Sequence, residues 1–166
     1  IRVAVRFRWH VRIPSYSTAF TIVIHHCIRN HLNADLHACC AKVLKREGAS
    51  AWQYYSVDAP IISDRDYTLK LTQDPNPGAK GRWRVRWVAD NKVGPKPVAG
   101  KVRVKIATGS WLLESVAGGK ATKVTYTVRS DPGGSIPSWV ANRANRKALP
   151  DVMRAVLKQS KKSKYK

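Results

Sequence analysis

Alternation dominates the chain. In Ile1–Ile13, Val3, Val5, Phe7, Trp9, Val11 and Ile13 take every second place, with Arg2, Arg6, Arg8, His10 and Arg12 among the residues between. A period of two puts the two sets on opposite faces of a strand. Val43–Glu47 is a short extended piece closed by Gly48, and Ala51–Val57 is aromatic and β-prone, stopping before Asp58-Ala59-Pro60. Tyr67, Leu69 and Leu71 alternate with Thr68, Lys70 and Thr72, which predicts a half-buried strand. Asp74-Pro75-Asn76-Pro77-Gly78 is a turn, because proline fixes φ and glycine supplies positive φ. Trp83, Val85 and Trp87 alternate with Arg82, Arg84 and Arg86, and Val102, Val104 and Ile106 with Arg103 and Lys105. Ser110–Ser115 and Lys123–Arg129 are further strands joined at Gly118-Gly119. Successive strands with short connections imply an antiparallel sheet of at least six strands.

The period then changes. Asp131-Pro132-Gly133-Gly134 breaks the last strand, and Ser135-Ile136-Pro137 leads into a helix ending near Gln159. Trp139, Val140, Arg143/Ala144, Ala148, Val152, Met153, Val156 and Leu157 form a stripe at helical spacing, with Pro150 expected to kink or divide it. Residues 131–159 are thus expected to be mostly helical and to pack on a sheet built from residues 43–129. The fold class is α+β, a curved antiparallel sheet around one long C-terminal helix. One helix does not fill a strongly curved sheet, so a ligand cavity is expected between them.

Composition sharpens this picture in three ways. A chain of 166 residues, 43% hydrophobic, suits one domain and one core. The net charge of +21 favours polyanions: nucleic acid, anionic headgroups or acidic proteins. No apolar run approaches the ~18 residues of a membrane-spanning helix. Thr18–Ile28 lacks the flanks of a signal peptide, which leaves cytoplasm and periplasm both open. The chain opens on Ile1 and not on Met, so the natural N-terminus is expected upstream.

A seam divides the chain near residue 42. All five histidines and all three cysteines (Cys27, Cys39, Cys40) precede it, while the glycines follow it. Three cysteines make no disulfide framework. His25, His26, Cys27, His31, His37, Cys39 and Cys40 lack metal-ligand spacing, so no metal and no cofactor is expected. Catalytic sets are equally poorly served. No His follows residue 37 and no Cys follows residue 40, so Ser/His/Asp and Cys/His arrangements lack a base in the better-patterned part. Asp64, Asp66 and Glu114 are not paired for acid–base work. The chain reads as a non-enzyme.

Ser63-Asp64-Arg65-Asp66-Tyr67 resembles the S-x-R-D-aromatic motif of START domains. Thr122-Lys123-Val124-Thr125-Tyr126 and Asp131–Asn142 resemble that family's last strand and entry to its final helix, with Gly109-Ser110-Trp111 in order between. The likeness covers about residues 43–158 and is of the bacterial type. It implies a helix-grip fold that encloses a tunnel for a lipid, sterol or other apolar ligand. It also implies a lid at Asp90–Gly100, carrying Asp90, Gly94, Pro95, Pro97 and Gly100, and places Arg65 where the family often sets a cavity arginine. Residues 43–159 are then the lipid-binding domain and 160–166 a basic tail. Residues 1–42 are an atypical segment, genuine or read in the wrong frame. For the second reading, Leu36-His37-Ala38-Cys39-Cys40 is encodable by DNA whose shifted frame gives Tyr-Met-Pro-Ala-Ala, and such domains carry an aromatic-Met-Pro tripeptide shortly before the strand at Val43.

On this reading Arg65 binds the polar end of a ligand; the plainer alternative is an ion pair with Asp64 or Asp66. Trp52, Tyr54, Trp83, Trp87 and Trp111 line the cavity or form ordinary core, and Val140, Ala144 and Met153 are its floor or plain packing. Lys92, Lys96, Lys101 and the tail lysines face an anionic membrane or only solvent. The expected protein is a monomeric, non-catalytic lipid carrier or sensor. The alternative is a basic nucleic-acid-binding module, for which Trp83 and Trp87 would have to share a face with Arg82, Arg84 and Arg86; alternation puts them on opposite faces, so no nucleic-acid partner is expected.

Overall fold

A computed structural model of the chain describes residues 3–11, 40–58, 62–75, 78, 80–136, 150, 153, 154, 156 and 158. The strands are β1 (Val3–Val11), β2 (Cys40–Glu47), β3 (Ser50–Val57), β4 (Asp64–Pro75), β5 (Arg82–Ala89), β6 (Lys101–Arg103), β7 (Ile106–Val116) and β8 (Ala121–Asp131). They form one eight-stranded sheet in the order β1-β8-β7-β5-β4-β3-β2, with β6 off this path against β4. The main path is antiparallel throughout. β1 and β2 therefore sit at opposite edges although they are consecutive among the described strands.

Register carries alternation across the sheet. Leu71 faces Trp87, Val85 faces Trp111, and Trp111 faces Tyr126. Because successive residues point to opposite faces, odd positions of β3, β4, β5 and β7 share one face with even positions of β8. That inner face holds the core: Tyr55, Val57, Tyr67, Leu69, Leu71, Val85, Trp87, Trp111, Leu113, Val124 and Tyr126. Aromatic pairs knit it together. Tyr55 stacks on Tyr67 at 5.2 Å between ring centroids, and Tyr126 lies 5.7 Å from Trp87 and 4.4 Å from Trp111. Such pairs add about 0.5–1.5 kcal/mol each beyond the area they bury.

Pro150, Met153, Arg154, Val156 and Lys158 have helical backbone, and Met153 and Val156 join the same core cluster. Three residues apart, they share one helical face. The rest of the expected helical stripe, including Val140 and Ala144, lies outside the described residues. Among the described residues no helix is long and apolar enough to cross a membrane.

Two expectations need correction. Helix cannot begin at residue 131, because β8 runs through Asp131 and residues 132–136 are irregular. Val102–Ile106 is not one strand. β6 ends at Arg103 after pairing parallel with Asp64–Asp66, and β7 begins at Ile106 as an antiparallel partner of β5 and β8. The break at Val104 and Lys105 lets Val104 turn into the core and donate its backbone N–H to the Asp66 carbonyl at 3.0 Å. β4 is also longer than Tyr67–Thr72, and at Asp66 and Thr68 it is buried on the outer face as well.

Gly109 is required by close approach. The Trp87 ring crosses it, and a Cβ there would lie 2.3 Å from Trp87 Cζ2 and 2.3 Å from the Thr127 carbonyl oxygen. A backbone carbonyl cannot swing aside, so Gly109→Ala should cost about 2–3 kcal/mol. Chemical denaturation checks this; an unmoved midpoint would mean that Trp87 does not cross Gly109.

Candidate functional site

The inner face is apolar over most of its length, and its polar groups are few. At one end stands Arg65, only 7% exposed. It is in register with Val57 of β3 and Val102 of β6, and its guanidinium approaches Gly134 in the segment after β8. One guanidinium nitrogen donates to the Ser63 carbonyl. Its Nε is buried without a hydrogen-bond partner, and among the described residues no carboxylate lies within 4 Å of the group. Burial pushes its pKa down, partly offset by the charge of Asp64. Arginine nonetheless stays protonated in proteins. A buried cation thus faces the inner side with an unused donor. Next to it, Tyr67 has its hydroxyl pKa pushed well up by burial.

At the far end of β4, about 27 Å along the strand from Arg65 at strand rise, the inner face opens onto a depression. Ala51, Gln53, Leu71, Gln73 and Val85 line it, with Arg46 at its rim. Gln53 is buried and accepts a hydrogen bond from the Tyr55 hydroxyl at 2.6 Å. Between the two ends lie Tyr67, Leu69, Trp87, Trp111 and Tyr126, under Met153 and Val156. The Trp111 indole N–H is buried there without a partner.

The expected site residues divide between the two faces. Trp83, Trp87, Trp111 and Arg65 are on the inner face; Trp87 and Trp111 belong to the core cluster with Met153, and Trp83 packs against it. Trp52 and Tyr54 are on the outer face, because they alternate with Gln53 and Tyr55. Trp52 donates from Nε1 to Asp90 at 2.8 Å and lies beneath the ammonium groups of Lys45 and Lys70, at 5.2 and 4.8 Å. The Tyr54 hydroxyl donates to Asp66 at 3.0 Å, and proximity to that carboxylate and burial push its pKa up, burial foremost.

The ion pair expected around Arg65 is made by its neighbour. Asp66, fully buried on the outer face, accepts from Arg103 Nε at 2.7 Å and Nη2 at 2.8 Å. Arg103 also donates to the carbonyls of Pro95 and Lys96, each at 3.1 Å. Asn91 ties the same loop from its other stem, accepting from the Thr68 N–H and donating to the Val104 carbonyl, both at 2.8 Å. Gly94 packs so tightly on Thr68 that any side chain would collide with it. The loop carrying Asp90, Gly94, Pro95, Pro97 and Gly100 is therefore pinned to the outer side of β3 and β4. Asn91, Arg103 and Gln53 were missed in the sequence, and Asp66 was weighed there as a partner for Arg65. The signal for Asp66 was its place in Arg65-Asp66, where adjacent charges on a strand must point to opposite faces. Among the described residues no group of three or more His, Cys, Asp or Glu side chains is placed to hold a metal ion.

A second carboxylate, Glu114 on β7, accepts from Lys123 at 2.6 Å and Arg82 at 2.7 Å. The Lys123 hydrogen bond foremost, then that of Arg82, holds its pKa below the usual carboxylate range against the opposing effect of burial. The two pairs should differ sharply. Asp66→Asn leaves Arg103 nearly buried without its counter-charge and should cost about 3–5 kcal/mol, whereas Glu114→Gln should cost about 1 kcal/mol or less, its partners Arg82 and Lys123 being 43% and 27% exposed. A depressed carboxylate contributes stability above its unfolded pKa and loses it as pH falls through the folded value. Glu114→Gln should therefore flatten the acid limb of the stability profile, as thermal melts across pH would show.

Comparison with known proteins places this geometry. A family model described as START domain matches residues 41–166. An uncharacterised protein of Pseudomonas aeruginosa is 40% identical over 109 residues, covering 64% of this chain and 52% of its own length, so the chain spans about half of that relative. A STAR-related lipid transfer protein from Xanthomonas axonopodis superposes with a TM-score of 0.73 at 28% identity, over 95% of this chain and 86% of that one. Human STARD10 superposes with a TM-score of 0.77 at 20% identity, over 97% of this chain and 64% of that one, a likeness of fold.

Proposed function

The chain belongs to the START domain family, and from that premise we propose that it holds one lipid or similar apolar ligand against the inner face of its sheet, as a non-catalytic carrier or sensor. The observation that carries this reading is Arg65: a buried guanidinium at one end of an apolar face, with Nε unpartnered and, among the described residues, no carboxylate within 4 Å, the charge of Asp64 acting on it from farther off. Leaving a buried charge uncompensated is costly, so a ligand that brings an acceptor or a negative charge to this point is favoured. Trp83, Trp87 and Trp111 supply apolar wall, and Met153, with Val140 and Ala144 proposed beside it from the sequence, supplies the cover. Apolar area leaving water contributes roughly 25 cal/mol per Å² before ordering costs are subtracted. Trp52 and Tyr54 drop out of the contact set, because they lie on the other face.

The loop with Asp90, Gly94, Pro95, Pro97 and Gly100 is the proposed lid. Opening it would break the bonds from Arg103 to the Pro95 and Lys96 carbonyls while its stems at Asn91 and Arg103 stay tied. Lys92 and Lys96 near the lid, and the tail lysines, are proposed to hold it by anionic headgroups at about 1 kcal/mol for each charge close to the surface; Lys101 drops out, because its ammonium donates to Ser56 Oγ at 2.6 Å and lies 3.8 Å from Asp64.

Displacement of a fluorescent fatty acid from the full chain tests this. Arg65→Leu should weaken binding of the acid about 10- to 100-fold, the worth of a charge-assisted hydrogen bond, while the uncharged alcohol of equal length loses less. Met153→Trp should block both by filling the space beneath the cover. A folded Met153→Trp variant that binds as before would place the ligand elsewhere.

A further inference from the structure

Trp111 is the core residue that packing alone does not explain. It has no exposed surface, and its Nε1 makes no hydrogen bond. The ring is held 4.4 Å from that of Tyr126, with the two planes 41° apart. A phenylalanine would fill a core position of this kind without burying a donor; the indole N–H is the part left over. Resting on the ligand reading above, we infer that this N–H is a second polar contact of the same site, and that the ligand is a long-chain acid carrying an oxygen in the half remote from its carboxylate.

Register fixes where the contact lies. Trp111 pairs with Val85 of β5, and Val85 pairs with Gln73 of β4, eight residues beyond Arg65. The two unpartnered donors, Arg65 Nε and Trp111 Nε1, thus stand toward opposite ends of the inner face. Val85 also lines the depression at the far end, together with Gln53. The carboxamide oxygen of Gln53 is engaged by the Tyr55 hydroxyl, so its amide nitrogen is what it adds to this end. Arg46 at the rim is exposed and brings donors alone. Both ends therefore ask for an acceptor. A plain alkyl tail answers only the Arg65 end and leaves the Trp111 N–H buried and unmet, which is costly.

A trapped water answers the second end less well. Buried water takes roughly two to four polar partners. Beside Trp111 on the inner face are Val85 and Tyr126 across the ladder and Leu113 along the strand, two of them aliphatic and all in the core cluster. An oxygen carried on the ligand is held in place by its own chain and needs the indole alone.

Competition against a fluorescent fatty acid on the full chain tests the inference, with octadecanoic acid and its 2-, 12- and 18-hydroxy derivatives as probes. The 12-hydroxy or the 18-hydroxy acid should bind about three- to tenfold tighter than octadecanoic acid, the gain from one net hydrogen bond. Trp111→Phe keeps an aromatic ring and removes the N–H. It should bring those two acids level with octadecanoic acid and leave the ratio for the 2-hydroxy acid, whose oxygen lies at the Arg65 end, as it was. Lost packing alone would weaken all four probes alike. Should the variant not fold, tryptophan labelled with nitrogen-15 in the unmodified chain reads the same contact: one of the six indole N–H signals should move downfield with the preferred acid and stay in place with octadecanoic acid. Failure of all four acids to bind would sink the ligand reading and this inference with it. Binding of octadecanoic acid with no preference for a remote hydroxyl, or a preference that Trp111→Phe leaves intact, would overturn this inference alone.

Discussion

The buried pair of Asp66 and Arg103 holds together what the rest of the molecule uses. Asp66 has no contact with water, yet its carboxylate is filled on three sides, twice by Arg103 and once by the Tyr54 hydroxyl. A carboxylate in that position is tolerable only because each oxygen is met by a donor. The pair binds β6 to β4 in parallel, where three residues of ladder alone would be weak. It thereby sets Val102 beside Arg65 and, through the remaining donors of Arg103, fixes the course of the loop before it. One ion pair on the outer face thus shapes the end of the inner one.

Much of the sheet was legible because its strands follow the simplest rule of alternation. Trp83, Val85 and Trp87 against Arg82, Arg84 and Arg86 divided as a period of two requires. β7 and β8 appeared where expected, though longer. The failures share a cause: residue type does not say which face a side chain takes. Trp52 and Tyr54 are aromatic in a β-prone run, and only the register with β4 sends them outward, where a loop some 40 residues later in the chain covers Trp52. Val102–Ile106 alternates as well as any strand, but Arg103 has a partner 37 residues away that stops the run. Long-range ion pairs leave no periodic trace. Of the candidate site, the burial of Arg65 on the inner face agrees with the position its motif implied, whereas the separate task of Asp66 was not legible.

The two faces divide the chemistry between them. Among the described residues the inner face is aromatic and aliphatic with one buried cation at its end; the outer face carries the ion pairs, the hydroxyl-bearing strands and the loop. A motif such as Arg65-Asp66 spans both, which is why a single substitution there reads differently from its neighbour. Charge is spread along the chain, but carboxylates are spent where they bind structure: Asp66 on Arg103, Glu114 on Arg82 and Lys123. The surplus cations are left for solvent or for a partner.

β2 ends the sheet on one side, and its register with β3 slips by one residue between Val43 and Lys45. Lys42, Lys45 and Arg46 stand exposed along it. An open strand edge is a template on which a neighbouring chain can add its own strand, and a bulge with a row of positive charge spoils that template twice, by geometry and by repulsion. Among the described residues no strand covers this edge, and its one irregular residue, with Lys42 and Arg46 beside a Lys45 already paired to Glu47, makes it a poor template for a further strand.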